Sequence, residues 1–352
     1  MMAHLQNRGN KWFYFLLIVT TIGCSQKEPY LFLDGERRVV ESELWTLAGQ
    51  YFQALVPPDS QYHHTMDSLT IILGQKLFYD SSLSANGRVS CNTCHPVEKY
   101  GMDRRKISQG HDLKQGRRNT PTVLNAFLQY AQFWDARAEN VEDQSIEPLL
   151  GDREMGIRDT FRMLERLYAD SAYRRLFDDI FDTDDKAITM KMLQKSMGAF
   201  ERTLITPCPL DAYLQGDLQA LSLEQKEGMW LFIEKGCVSC HNGILLGGNM
   251  AQKFAIYGYY WDYTNSDHYD RGVYEISKKP EDKFFFKVPG LRNVAMTSPY
   301  FHDGSIAELN EAIRIMSISE MGQSLSEDEI KKIERFLICL TGELVDYKAP
   351  IE

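Results

Sequence analysis

Two short segments constrain this chain more than anything else in it: Cys91-Asn92-Thr93-Cys94-His95 and Cys237-Val238-Ser239-Cys240-His241. Two thiols three positions apart, with a histidine directly after the second, form the attachment pattern of a c-type haem. Each sulfur bonds one vinyl group and the imidazole takes one axial position on iron. With seven Cys and eight His in 352 residues, chance would supply roughly 0.003 such patterns, so two copies are not accidental. Structural zinc is the competing explanation, because each pair offers two thiolates and the neighbouring imidazole a third ligand; the position of the histidine favours haem. Two covalently bound haem c groups are therefore expected, one on Cys91, Cys94 and His95 and the other on Cys237, Cys240 and His241.

The formal charge is −10, with a pI near 5.4. Neutralising phosphates needs a basic surface, so nucleic acid is excluded as a partner. At the N-terminus, Arg8 and Lys11 precede an apolar run from Trp12 to Ile22. That run is too short to span a bilayer and fits a secretory signal. Its end, Ile22-Gly23-Cys24-Ser25, resembles a bacterial lipoprotein processing site, although Thr21 stands where a leucine is usual. Residues 1–23 are read as a lipoprotein-type signal peptide, with Cys24 lipidated and anchoring a periplasmic protein to a membrane. Plain signal cleavage with an unmodified Cys24 thiol is the alternative. Cys208 and Cys339 are expected as buried free thiols, while an oxidising compartment also permits a bridge between them.

Residues 24–65 read as a tether followed by an N-terminal helix over 39–56, stopped by Pro57-Pro58. Asp67 is placed to cap a helix towards Asp80, with Leu69, Ile72, Leu73, Leu77 and Phe78 as its apolar stripe. Residues 99–120 carry Gly101, Gly110, Gly116 and many charges, which predicts a long loop able to move, with His111 inside it. A lone loop histidine is ordinarily a solvated surface residue. Helices are predicted over 159–181 and 185–205, and Pro207 and Pro209 then mark a domain boundary. Ser222-x-x-Gln225 is a capping box for a helix ending at Gly236, directly before the second attachment motif. The glycine- and tyrosine-rich stretch 243–290 predicts an irregular cover with a short strand near 284–288. Ser305-x-x-Glu308 and Ser326-x-x-Glu329 each predict a helix start. The fold class expected is mostly α, as two class I cytochrome c-like domains over 66–208 and 209–345, with a tail at 346–352.

Beyond the attachment motifs, the chain carries Leu73-Gly74-Gln75-Lys76-Leu77-Phe78-Tyr79-Asp80, Arg118-Asn119-Thr120-Pro121-Thr122-Val123-Leu124-Asn125-Ala126 and Gln132-Phe133-Trp134-Asp135-Ala136-Arg137-Ala138-Glu139. Downstream stand Phe286-Lys287-Val288-Pro289, Leu291-Arg292-Asn293-Val294 and Pro299-Tyr300-Phe301-His302-Asp303-Gly304-Ser305. In these segments, over roughly residues 66–345, the sequence resembles the bacterial di-haem cytochrome c peroxidase family, which also contains the methylamine-utilisation oxidases.

The resemblance implies a reaction and a set of roles. Hydrogen peroxide is reduced to water with electrons from a small cytochrome c or a blue copper protein. His95 is the proximal ligand of the peroxidatic haem and His111 its displaceable distal ligand. His241 and Met316 are the proximal and distal ligands of the donor haem, with Met321 as the alternative register. Glu154 is the acid/base residue for splitting the O–O bond, Gln144 orients peroxide, Phe133 lines the pocket, and Trp134 lies between the haems. Asn119, Thr297 and Pro299 match positions that bind a calcium ion, and homodimers are common in the family. Without the resemblance, Glu154 would read as a salt-bridging surface residue, and Met316 and Trp134 as core packing. Two other readings are a di-haem electron carrier and an oxidase acting on a partner protein. The partner oxidase has a tyrosine where this chain has Met316.

Overall fold

Helices are the main regular structure of this chain, and they pack around two large hydrophobic cores beside two smaller clusters. The computed structural model describes residues 30–35, 37–56, 67–181, 187–266, 268–345 and 347–349; the signal segment and Cys24 lie outside them. In chain order the elements are β1 (Tyr30–Asp34), β2 (Arg37–Val40), α1 (Glu41–Tyr51), α2 (Ser68–Tyr79), α3 (Cys91–Cys94), α4 (Val141–Leu150), α5 (Thr160–Ala169), α6 (Ser171–Ile180), α7 (Met190–Glu201), α8 (Pro209–Leu214), α9 (Leu223–Glu234), β3 (Ala251–Lys253), α10 (Tyr260–Thr264), α11 (Tyr274–Ser277), β4 (Phe285–Lys287), α12 (Leu309–Met321) and α13 (Glu327–Ile338). The mostly helical class is as expected. Among the described residues the only sheets are the antiparallel pairs β1–β2 and β3–β4, and no helix is long and apolar enough to cross a membrane.

The first core gathers Leu73 and Leu77 of α2, Leu149 of α4, Met163 of α5, Tyr173 of α6 and Leu193 and Met197 of α7. Each such large apolar side chain contributes about 1.5–3 kcal/mol on burial. Gly74 lets α2 lie against α7, since a Cβ there would meet the Ser196 carbonyl oxygen at 1.9 Å. The second core joins Leu44 of α1 to Trp230 and Phe232 of α9 and to Ile333 and Phe336 of α13. It repeats the same device: a Cβ at Gly228 would meet the Lys332 carbonyl oxygen at 1.9 Å.

Several local expectations are corrected. Strands β1 and β2 pair antiparallel where an irregular tether was expected, and Phe32 packs edge-on against Trp230 at 6.4 Å. The following helix spans only Glu41–Tyr51. Phe52 turns extended, and the Leu55 amide goes to Asp211 Oδ1 at 2.6 Å instead of continuing the helix. On α2, Leu69 and Ile72 face solvent, and Thr70 and Gly74 take their place inside. The helix expected over 159–181 is two helices, because the Asp170 carboxylate accepts from Ala172 N and Tyr173 N and caps α6. Ser305 caps nothing; its hydroxyl is buried without a partner, and α12 begins at Leu309 behind Glu308. The boxes at Ser222 and Ser326 are both formed as predicted.

At the expected boundary, Thr206 and Cys208 are buried, Pro207 is half-buried and Pro209 is exposed. Thr206 accepts from Asn125 Nδ2 at 2.7 Å and from Asn293 Nδ2 at 2.8 Å, which ties the two cores together. Beside it Arg292 and Asp211 form a buried ion pair at 2.6 Å. Cys208 and Cys339 are free thiols and buried.

Candidate functional site

Each attachment motif is a single helical turn, α3 at Cys91–Cys94 and a 3-10 turn at Cys237–Ser239. One turn brings thiols three apart onto one side. Ser90 and Thr93 form a capping box on the first turn, while Gly236, at φ +86, admits the chain to the second. Both imidazoles are oriented in the same way. His95 Nδ1 lies 3.2 Å from the Gly101 carbonyl and His241 Nδ1 lies 3.1 Å from the Leu246 carbonyl. A carbonyl only accepts, so the proton sits on Nδ1 and the Nε2 lone pair is left for a metal. Burial lowers both groups to about 4, which keeps them neutral and able to ligate.

The same surroundings test zinc against haem. Burial pushes the thiols of Cys94 and Cys237 up to about 12, and that of Cys91 higher still with help from the Glu201 charge. A zinc ion would ionise such thiols by its own charge, so the number of converging ligands decides between the two. Among the described residues, no three His, Cys, Asp or Glu side chains converge to hold a metal ion. A haem brings four nitrogen ligands of its own and needs only the axial ones.

A large, mainly apolar cavity adjoins the second motif. Cys237, Cys240, His241, Phe232, Met316 and Met321 all line it, as do Trp134, Lys287 and His302. His302 is 2 % exposed and its Nε2 has no partner; its ring stacks on Phe286 at 4.1 Å. An apolar slot with a neutral imidazole, a thioether and an orphaned polar atom fits a haem with its propionates. Asn119, Thr297 and Pro299 lie on the wall of this cavity.

Around the first motif, the 99–120 segment is a loop, but His111 is not a surface residue. It is 6 % exposed. Its Nε2 lies 2.9 Å from the Asp152 carbonyl and 3.4 Å from Lys114 Nζ, and its Nδ1 lies 3.1 Å from Asp112 Oδ2. Its amide donates to the Glu154 carbonyl at 2.7 Å. Both ring nitrogens are thus engaged by protein groups, and one of these contacts must be given up before the ring can ligate a metal. The adjoining backbone is strained: Asp112 and Leu113 are both left-handed, at φ 55 and 60, and Leu113 is 76 % exposed.

Glu154 follows the turn after α4. Burial raises its pKa, the Arg137 charge lowers it, and Glu147 adds to the rise. Arg137 lies over the Phe133 ring at 3.4 Å and bonds Glu147 at 2.6 Å. Phe133, Arg137, Glu147 and Glu154 therefore form one cluster. Gln144 is half-buried on α4. Trp134 donates its indole N–H to the Asn119 carbonyl at 2.9 Å, and its own carbonyl accepts from the Lys287 amide at 2.8 Å. Its ring thus stands between the His111 loop and β4.

Three residues with a place at these sites were given no role from sequence: Arg137, Lys287 and His302. Arg137 and His302 stand in segments that carry the family resemblance. Lys287 did carry a signal, as the one charge in the run Phe284-Phe285-Phe286-Lys287-Val288.

Comparison with known proteins agrees with this geometry. The family model for di-haem cytochrome c peroxidase matches residues 68–219. Cytochrome c551 peroxidase of Nitrosomonas europaea is 38 % identical over 281 residues, 79 % of this chain and 82 % of that protein. The protein of the same name from Pseudomonas aeruginosa is 38 % identical over 281 residues, covering 79 % and 80 %. Methylamine utilization protein MauG of Methylophilus methylotrophus is 30 % identical over 320 residues, covering 84 % and 90 %. Among solved structures, a MauG-like protein associated with microbial copper homeostasis superposes with a TM-score of 0.73 at 26 % identity, over 85 % of this chain and 97 % of that one.

Proposed function

This chain belongs to the di-haem cytochrome c peroxidase family, and from that premise we propose that it reduces hydrogen peroxide at an N-terminal haem site using electrons received through a C-terminal one. The two haem domains are residues 66–208 and 209–345. His95 and His241 are the proximal ligands, Met316 is the distal ligand at the C-terminal site, and His111 is the displaceable distal ligand at the other. Bound haem supplies the iron that takes up electrons and peroxide, and Met/His ligation holds the higher potential of the two sites.

One observation carries the reading: His111 sits in a buried niche of its own, with both ring nitrogens on protein groups, within a loop that holds two left-handed residues and runs beside Glu154. A distal histidine with a second place to go is the two-state element that a redox-driven switch requires. With His111 docked there, Glu154 is left to act on peroxide. Its raised pKa suits a group that takes a proton from one peroxide oxygen and delivers it to the other. Gln144 orients the substrate. Phe133, held under Arg137, keeps water from the pocket. Trp134 conducts electrons between the sites, and its indole hydrogen bond to Asn119 fixes the ring on that path.

A calcium ion at Asn119, Thr297 and Pro299 belongs to the same proposal. Asn119 gives its Nδ2 to the Arg105 carbonyl at 2.9 Å, which leaves the amide oxygen for a hard cation. The electron donor is a small cytochrome c or a blue copper protein. The chain works in the periplasm, tethered through acylated Cys24, and as a homodimer.

The test is peroxide-dependent oxidation of a reduced small cytochrome c by holo-protein, comparing fully oxidised enzyme with enzyme primed by one electron. Turnover only after priming is the expected result. Turnover in both states would remove the switch, and none in either, with both haems present, would favour an electron carrier.

A further inference from the structure

Lys287 is a buried cation that pairs with no carboxylate among the described residues. It is 4 % exposed, on a strand of otherwise apolar residues, and it faces the C-terminal cavity. Its Nζ meets the side-chain oxygen of Gln129, a neutral acceptor, and no carboxylate forms an ion pair with it among the described residues. Asp135 is near enough to be felt, but it is already shared by Arg118 at 2.6 Å and Arg137 at 2.9 Å. Other cations lining the cavity differ. Arg292 is paired with Asp211, and Lys253 is half-exposed. An ammonium buried beside an amide alone is strongly disfavoured in its charged form, and burial accordingly lowers this one to about 7.

We propose that Lys287 is built to receive an anion from the cavity, and that the anion is a propionate of the C-terminal haem. The proposal rests on the reading of that cavity as a haem site. A propionate here would satisfy the buried charge and would stand next to Trp134, whose carbonyl holds the Lys287 amide at 2.8 Å. A fixed positive charge at the edge of a haem favours its reduced form, since reduction adds a negative charge. Lys287 is therefore a positioning residue that raises the potential of the donor site and keeps its electron in store.

The experiment compares wild-type holo-protein with Lys287→Gln and Lys287→Arg, by haem content per chain and by optical redox titration. Expected are two haems in each protein and at least a tenfold loss in the reduction equilibrium of the higher-potential couple in Lys287→Gln, about 59 mV for one electron. The lower-potential couple should not move, and Lys287→Arg should stay near wild type. A loss of packing alone would not single out one couple. An unmoved higher couple in Lys287→Gln, with both haems attached, overturns the proposal. Should Lys287→Gln emerge without its second haem, Lys287→Arg decides: a loaded Arg variant supports the charge pairing, and an equally bare one overturns it. A wild-type chain with a single haem on the first motif would instead overturn the underlying haem site.

Discussion

Replacing Gly156 by alanine tests the docked position of His111. The backbone at Gly156 has φ +72, and an added Cβ would lie 2.3 Å from His111 Nε2. Two penalties arise and act on different equilibria. The left-handed backbone costs alanine roughly 1–2 kcal/mol. That strain is present wherever the His111 ring is, so it lowers overall stability without biasing the ring. The overlap exists only while the ring is docked. Overpacking of this kind costs about 1–3 kcal/mol, which is about 5–150-fold between two conformations. Gly156→Ala is therefore expected to push His111 out of its niche and towards the metal. The assay is the low-spin fraction of the N-terminal haem after one-electron priming, read by electron paramagnetic resonance alongside the peroxide-binding rate. The low-spin fraction should rise and peroxide binding should slow within that range. A lowered melting temperature with an unchanged spin state would refute the idea that the niche competes with iron for the imidazole.

Glu154→Gln should keep both haems and lose about two to four orders of magnitude in turnover; the acid limb of the wild-type profile, set above an ordinary glutamate because burial raises this pKa, should vanish with it. Normal turnover would exclude Glu154 from proton transfer. Glu201, 3 % exposed, is raised to about 8 by burial and by the Glu142 charge. A raised carboxyl favours the fold below its unfolded pKa and loses that advantage as pH climbs to 8. Glu201→Gln should thus gain stability over wild type with rising pH, by about 3 kcal/mol at pH 7; denaturant titrations showing the same difference at pH 5 and pH 8 would sink this. Arg292→Met leaves Asp211 buried without its partner at 2.6 Å and should cost about 3–5 kcal/mol, visible as a lower denaturation midpoint.

What could be read from the order of residues was whatever depends on near neighbours. The attachment turns and the boxes at Ser222 and Ser326 are local patterns, and the structure keeps them. Patterns that rely on a distant partner misled. Leu69 and Ile72 fit a helical stripe, but α7 approaches α2 through Gly74, so the contact face is rotated and they point to water. Ser305 had the spacing of a cap, yet the turn around His302 buries it before the helix begins.

The sequence by itself determined the two CxxCH sites and a mostly helical chain, because thiol spacing and apolar periodicity are properties of a few consecutive residues. Only the tertiary structure decided that His111 is enclosed and held at both ring nitrogens, that Arg137 covers Phe133 beside Glu154, and that Lys287 is buried without a carboxylate. The Asp152 carbonyl that holds His111 is 41 positions away and the Gln129 oxygen that meets Lys287 is 158 away. Burial and charge pairing are set by what the fold brings within a few ångströms, and no local pattern encodes that distance.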